Sequence, residues 1–343
     1  MESDLWEYLK STDKPIVFYG MGNGADKIYN VLKSLGKEPS AVFATDGFVR
    51  KKQVYGLTLS SLSEVENKFD DMIVLLCFGS SREEVIENVK RISSRHELYA
   101  PDVPVYGDTL FTKDFYLKNK SRFDFVYERL EDGVSKKTFC DIINAKISGK
   151  TEYLFDCETD KDEPYRTFLK LNDSEIFVDL GAYRGDTVSE FLSRVSDYKA
   201  IYAAEPDTKT FLKLENALKG LKNVNLINAC ISDKCGKEPF CMNASRGSSN
   251  KENATLCDSV TLDSITDRAT FIKMDVEGAE AKAISGAKNL IYNCKPKMLI
   301  SCYHKSEDLF LLPEKVLSIR NDYKIYMRHQ RSLPAWDTCF YFI

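Results

Sequence analysis

Residues 178 to 187, Val-Asp-Leu-Gly-Ala-Tyr-Arg-Gly-Asp-Thr, follow a short apolar run and open a helix-like stretch. Gly181 and Gly185 are spaced G-x-x-x-G, not the G-x-G-x-x-G of a dinucleotide turn. In that turn the second glycine lets a pyrophosphate reach the helix N-terminus. Tyr183 holds the position here, so a pyrophosphate fits poorly. A ligand without phosphates but with an amino-acid portion fits better, and S-adenosylmethionine (SAM) is such a ligand. Asp179, Gly181, Ala182, Tyr183, Gly185 and Thr187 are its expected surroundings, with Tyr183 shaping the wall. A second apolar run ends in Ala-Ala-Glu205-Pro206, where an acid can accept both hydroxyls of a ribose. Ser232 and Asp233 follow a third run and would meet an adenine edge, and a fourth leads into Asp275-Val-Glu277-Gly-Ala-Glu280.

Such residues converge only if strands carry them to one edge of a sheet. The spacing predicts strands at 176–180, 200–204, 225–230, 271–274 and 297–302, alternating with helices. Segments 323–328 and 339–343 lie close together across turn residues, which predicts an antiparallel hairpin at a sheet edge. A smaller β/α unit precedes them, with strands at 16–19, 40–44 and 72–78 and helices running to about Leu35 and over Glu83–Ile92. Between them, Phe123, Val126, Tyr127 and Leu130, then Phe139, Ile142, Ile143 and Ile147, have helical spacing, with Ser135 as the expected N-cap of the second helix and Gly149 beyond its end. Glu158 to Glu163 reads as an exposed linker and Asn243 to Asn253 as a mobile loop, with residues 243–256 expected near the substrate. The expected architecture is α/β: a C-terminal seven-stranded Rossmann-like sheet with an antiparallel edge hairpin (171–343), a smaller Rossmann-like β/α domain (1–110) and a helical connector (111–170).

The 343 residues suit two domains. With 43% hydrophobic and 29% charged residues, the chain is of ordinary globular composition. Lys plus Arg is 48 against 52 Asp plus Glu, which argues against a general nucleic-acid binder. The longest apolar run, Met72 to Phe78, is far short of the roughly 18 residues a membrane span needs, and the start lacks a secretory signal, so a cytoplasmic protein is expected. Ten cysteines without a C-x-x-C pair, among them Cys230, Cys235 and Cys241, read as reduced thiols, and no common zinc pattern fits them.

VDLGAYRGDT, AAEP, Thr261-Leu-Asp263 and IKMDVEGAE at 272–280 together resemble the FkbM-family SAM-dependent methyltransferases. Tyr303-His304-Lys305, Glu307-Asp308-Leu309, Arg328-His329 and LEDGVSKKTF at 130–139 resemble a subgroup with an N-terminal Rossmann-like domain, so the likeness covers nearly the whole chain. The resemblance implies O-methylation with SAM, often of sugar hydroxyls in polysaccharides or of secondary metabolites.

Such a transfer needs the hydroxyl in line with the methyl at about 3–3.5 Å and help in losing its proton. His304 is the expected general base, facing Asp275 across the crevice, with Asp275 or Glu277 orienting it or gripping substrate hydroxyls. No metal is assigned; the competing version has a divalent cation held by Asp275, Glu277 and a histidine. Glu280 reads as the acid that opens a helix, Arg328-His329 as a surface polar pair or a catalytic one, and Lys305 as solvated or substrate-binding.

Gly20-Met-Gly22-Asn-Gly-Ala25 does fit G-x-G-x-x-A, with Asp46 at ribose distance downstream. Binding of a nucleotide or a substrate carrier, scaffolding, and a nicotinamide site remain open for that unit. An NAD(P)- or nucleotide-sugar-dependent oxidoreductase and a non-catalytic SAM-binding module are therefore the rival readings. The expected partner is a sugar or small-molecule hydroxyl acceptor, free or linked to a nucleotide or lipid, with a homodimer left open.

Overall fold

Two mainly parallel sheets follow one another along the chain, as the alternation of apolar runs and helical spacing requires. A computed structural model describes residues 2–45, 52–240 and 255–343. The first sheet contains β1 (Ile16–Tyr19), β2 (Ala41–Phe43), β3 (Gln53–Val54), β4 (Leu57–Ser60), β5 (Ile73–Leu76) and β6 (Glu97–Tyr99), ordered β3-β4-β2-β1-β5-β6. Strands β1, β2 and β5 are buried along their whole length, which is why their sequences are continuously apolar rather than alternating.

The second sheet is built from β7 (Ile176–Leu180), β8 (Ala200–Ala204) and β9 (Val224–Ile227), followed by a separate group of β10 (Cys230–Ile231), β11 (Gly236–Phe240) and β12 (Thr255–Val260). It is completed by β13 (Phe271–Met274), β14 (Lys297–Ser301), β15 (Ile325–His329) and β16 (Thr338–Phe342). Its order is β15-β16-β14-β13-β7-β8-β9, with β16 antiparallel to both of its neighbours. The expected seven-stranded sheet with its edge hairpin is thus the observed one. The chain winds outward from β7 in both directions, so a crevice opens at the strand ends between β7 and β13.

Helices between residues 113 and 156 join the sheets, and one apolar cluster runs from Val74 through Phe111, Phe123 and Phe139 to Met274 and Phe340. The long helix Gly133–Ser148 ends at Gly149 in the left-handed conformation, as expected, but Asp132 rather than Ser135 caps its start. The Asp132 carboxylate accepts the Ser135 amide at 2.7 Å, which frees the Ser135 hydroxyl for Met327 N and Arg328.

Other expectations are corrected. Segment 225–230 is not one strand: β9 ends at Ile227, and Cys230–Ile231 crosses to a three-stranded sheet of order β10-β12-β11. In that small sheet Cys230 is bonded to Cys257, so the cysteines are not all reduced; Cys77, Cys157, Cys302 and Cys339 are free and buried. Residues 255 and 256 belong to β12, whereas Cys241, Asn243 to Asn253 and Asp46 lie outside the described residues. Arg328 and His329 are no surface pair, because both are buried. Arg328 pairs with Asp132 and Glu163 at 2.8 Å each, so the acidic stretch 158–163 anchors the sheet edge rather than merely linking. Burial lowers the pKa of His329 to about 4, and its Nδ1 faces Thr338 Oγ1 at 2.9 Å. Among the described residues, no helix is long and apolar enough to cross a membrane.

Candidate active site

At the end of β7 the backbone turns sharply because nothing larger than glycine fits. Gly181 has φ +84°, and a Cβ there would lie 1.9 Å from the carbonyl oxygen of Asp275. The turn that follows β7 is therefore in contact with the turn that follows β13. Gly181 N and Ala182 N both donate to Ala204 O, tying the turn to β8. Tyr183 takes φ +48° and leaves its ring 49% exposed on the rim. Gly185, at φ +88°, starts the helix Asp186–Leu192, in whose first turn Thr187 is half-buried.

Glu205, buried at the end of β8, accepts Tyr183 N through Oε2 at 3.0 Å and Asp207 N through Oε1 at 2.9 Å. Burial raises its pKa to about 7 against those two amides. Each oxygen keeps a lone pair for a further donor. Asn228 holds the same corner by donating to the carbonyls of Glu205 and Pro206. Ser232 is less available: fully buried, it donates to Glu238 Oε1 at 2.6 Å, while Asp233 is exposed.

Beneath the glycine turn lies a lysine that the sequence reading passed over. Strand register sets Lys273 beside Asp179. Its Nζ lies 3.2 Å from Gly181 O, 3.5 Å from Asp179 Oδ1 and 3.8 Å from Asp275 Oδ2. Burial would strip its charge, but Asp179 and Asp275 more than offset that and raise its pKa. Burial also lifts Asp179 to about 6, with Lys273 opposing. A lysine inside an otherwise apolar strand was the signal, since a buried charge needs partners.

The turn after β13 carries the remaining acids. Glu277 at φ +54° and Gly278 at φ +91° bend the chain, and Glu280 closes it by accepting Val276 N at 2.9 Å and Gly278 N at 3.4 Å. Beyond the end of β14, His304 faces this turn as expected. Its Nε2 lies 3.5 Å from Asp275 Oδ1 and 3.6 Å from Glu277 Oε2; its Nδ1 is 3.0 Å from Glu280 Oε1. Tyr303 donates to Asp275 Oδ1 at 3.2 Å. Burial disfavours the charged imidazole, but Glu280, then Asp275 and Glu277, prevail and hold its pKa up to about 10. At neutral pH His304 is therefore an imidazolium with no lone pair for a hydroxyl proton, unlike the free base expected from sequence. For Asp275, burial is outweighed by Lys273 and His304, and its pKa falls. For Glu277 burial wins, and its pKa rises.

A family model described as "Methyltransferase FkbM domain" matches residues 179–321. The structure also superposes on the methyltransferase FkbM from Methylobacillus flagellatus KT with a TM-score of 0.74 and 25% identity, covering 98% of this chain and 92% of that one. The chain carries an FkbM-family methyltransferase domain. Weaker likenesses are to a precorrin-6y C5,15-methyltransferase from Geobacter metallireducens GS-15 (TM-score 0.33, 14% identity, 51% of this chain and 82% of that one) and an rRNA methylase from Streptococcus thermophilus (0.33, 16%, 50% and 87%), too slight to add to the site. No curated protein sequence matches this chain.

The FkbM domain as matched begins at Asp179 and extends past His304, so it contains the glycine turn, Glu205, Asp275, Glu277 and Glu280. Arg328 and His329 lie beyond its end. One wall comes from outside it. Tyr106, half exposed, donates its backbone N–H to His304 O at 2.9 Å and packs so closely on Gly278 that a Cβ there would meet it at 2.8 Å. Lys305 places its ammonium 4.9 Å from the centre of the Tyr106 ring. No sequence signal marked Tyr106, because it sits in an irregular segment far upstream.

Proposed function

We propose that the protein is a SAM-dependent O-methyltransferase that acts on a hydroxyl of a sugar-like acceptor. The observation that carries this reading is the contact of Gly181 with Asp275. It joins a glycine turn flanked by the buried acid Glu205 to a carboxylate–histidine cluster. Glu205 suits the ribose of SAM, since its two oxygens are fixed by backbone amides and still have lone pairs. Asp179, Gly181 and Ala182 would surround the amino-acid end, with Tyr183, Gly185, Thr187 and Pro206 as flanking walls and Asp233 on the adenine side. The negative charge of Glu205, Asp275 and Glu277 complements a ligand that carries a sulfonium and an ammonium. When bound, SAM supplies a methyl group already activated by that sulfonium.

The chain's own part is to hold an acceptor oxygen in line and take its proton. Asp275, fixed by Tyr303, grips the acceptor through a hydrogen bond. Glu277 has a side chain 37% exposed, and its carboxylate receives the proton. His304 holds the two carboxylates in place from behind. Vicinal hydroxyls, as on a sugar, satisfy paired carboxylates better than a single alcohol does. Residues 1–110 and 111–170 are read as a unit and a connector that complete the acceptor side through Tyr106, and a nucleotide- or lipid-linked acceptor is compatible with that open rim. The near balance of charges disfavours nucleic acid as the acceptor.

The test is incubation of the purified protein with methyl-labelled SAM and a panel of sugar nucleotides and glycan fragments. Label recovered as a methyl ether supports the reading. Binding of NAD without binding of SAM in calorimetry overturns it.

A further inference from the structure

His304 and Glu280 are both fully buried, yet His304 Nε2 and Glu280 Oε2 have no hydrogen-bond partner among the described residues. Buried polar atoms left unpaired are costly and uncommon, so the surroundings of the imidazole bear on function. Its two sides differ. Nδ1 is at hydrogen-bond distance from Glu280 Oε1, 3.0 Å, although not in line with the ring N–H. Glu280 is itself fastened by the amides of Val276 and Gly278.

Nε2 faces Asp275 Oδ1 at 3.5 Å and Glu277 Oε2 at 3.6 Å. Both separations exceed the range of about 2.7–3.2 Å for a good hydrogen bond. They do suit two ligands of one ion. Atoms about 2.1 Å from a shared metal and separated as these are subtend roughly 115° at it, between the tetrahedral and trigonal angles.

We infer that a first-row divalent cation binds in the gap between His304 Nε2, Asp275 Oδ1 and Glu277 Oε2, displacing the Nε2 proton to solvent as it binds. Glu280 is the carboxylate behind the imidazole, orienting the ring through Nδ1 as outer carboxylates do for metal-bound histidines. One nitrogen and two carboxylate oxygens favour Mn²⁺ or Zn²⁺ over Ca²⁺ or Mg²⁺, which bind mainly through oxygen. The cation is held on the acceptor side of the crevice, where an open coordination position can take the acceptor hydroxyl and lower its pKa. That role rests on the methyl-transfer reading; the binding itself does not.

The full-length protein, stripped with EDTA, is titrated with Mn²⁺ while the free-ion signal is followed by electron paramagnetic resonance. One ion per chain is expected, with affinity reduced about tenfold or more by Glu277→Gln and by His304→Ala. Melting curves identify any variant that has unfolded, and Glu277→Gln, on the open side, retains the buried groups. No saturable binding by the wild type, or unchanged binding by folded Glu277→Gln, overturns the site. Calorimetry with S-adenosylhomocysteine runs in parallel. Nucleoside binding without Mn²⁺ binding sinks the cation and leaves methyl transfer standing. Mn²⁺ binding without nucleoside binding supports the cation and overturns the SAM reading.

Discussion

The molecule contains two glycine turns in equivalent places, each after an inner strand of a mainly parallel sheet, with different surroundings. At the first, Gly20 and Gly22 have φ +97° and +117°. A Cβ on Gly20 would strike the Phe78 ring at 2.3 Å, one on Gly24 would meet Cys77 O at 2.7 Å, and Gly22 faces open space. Asp26, in the helix that follows, is bonded to Tyr55 Oη at 2.6 Å. Among the described residues, the nearest neighbours of these glycines are an aromatic ring and backbone. At the second, Gly181 touches Asp275, and Asp179, Glu205, Lys273 and Asp275 gather around it. The first turn matches a nucleotide motif better by spacing, yet among the described residues it is the second that gathers a cluster of paired ionisable groups. A glycine pattern reports a tight β/α connection; chemistry depends on what the neighbouring strands deliver to it.

Four experiments probe that contrast, the largest effect first. Glu277→Gln is expected to lower methyl transfer by about 10²- to 10⁴-fold while S-adenosylhomocysteine affinity changes only a few-fold; unchanged turnover would remove the charged cluster from the chemistry. Gly181→Ala combines a left-handed φ with a backbone collision. It should lower stability by about 3 kcal/mol and abolish nucleoside binding, as read by thermal melting and calorimetry.

The third experiment uses pH. Burial holds Glu205 at about 7 in the free protein, so as pH falls through 7 the carboxylate gains a proton and loses its capacity to accept ribose hydroxyls. S-adenosylhomocysteine affinity should drop about tenfold from pH 8.5 to 5.5, since the free carboxylate is protonated well below its pKa and each pH unit costs a factor of about ten while bound hydroxyls keep the complex ionised. Glu205→Gln should flatten the profile, and an equally steep profile in that variant would reassign the titration. The smallest effect is expected at the first turn. Gly22→Ala meets no neighbour, so only its φ matters, at about 1 kcal/mol, with turnover kept within about twofold; a large loss of turnover would give the first turn a part in the reaction.

Much of the second sheet was legible because its strands are short, mainly apolar runs separated by helical periods. The acids at the strand ends were legible for the same reason: register carries Asp179, Glu205 and Asp275 to one edge once the strands are known. What escaped has physical causes. Strands as short as Cys230–Ile231 show no alternation, so the small sheet and its cystine left no trace. Glu280 reads as a helix opener and is one, but its contact with His304 depends on a loop conformation in which Glu277 has a positive φ. Lys273 was visible as an oddity, yet its partners lie on the neighbouring strand and beyond its own strand's end. The protonation of His304 depends on three carboxylates from one turn converging on a residue from another strand, a sum that no local pattern records.

The contact between Tyr106 and Gly278 has an evolutionary reading. One side of the reaction crevice is encoded in the first third of the gene, and the groups proposed to handle the methyl donor in the last half. A crossover between codons 110 and 179 would exchange the wall around the acceptor and leave the donor residues in place. Chimeras of this protein and its Methylobacillus flagellatus counterpart, joined there, would show whether acceptor preference is inherited separately from the capacity to methylate.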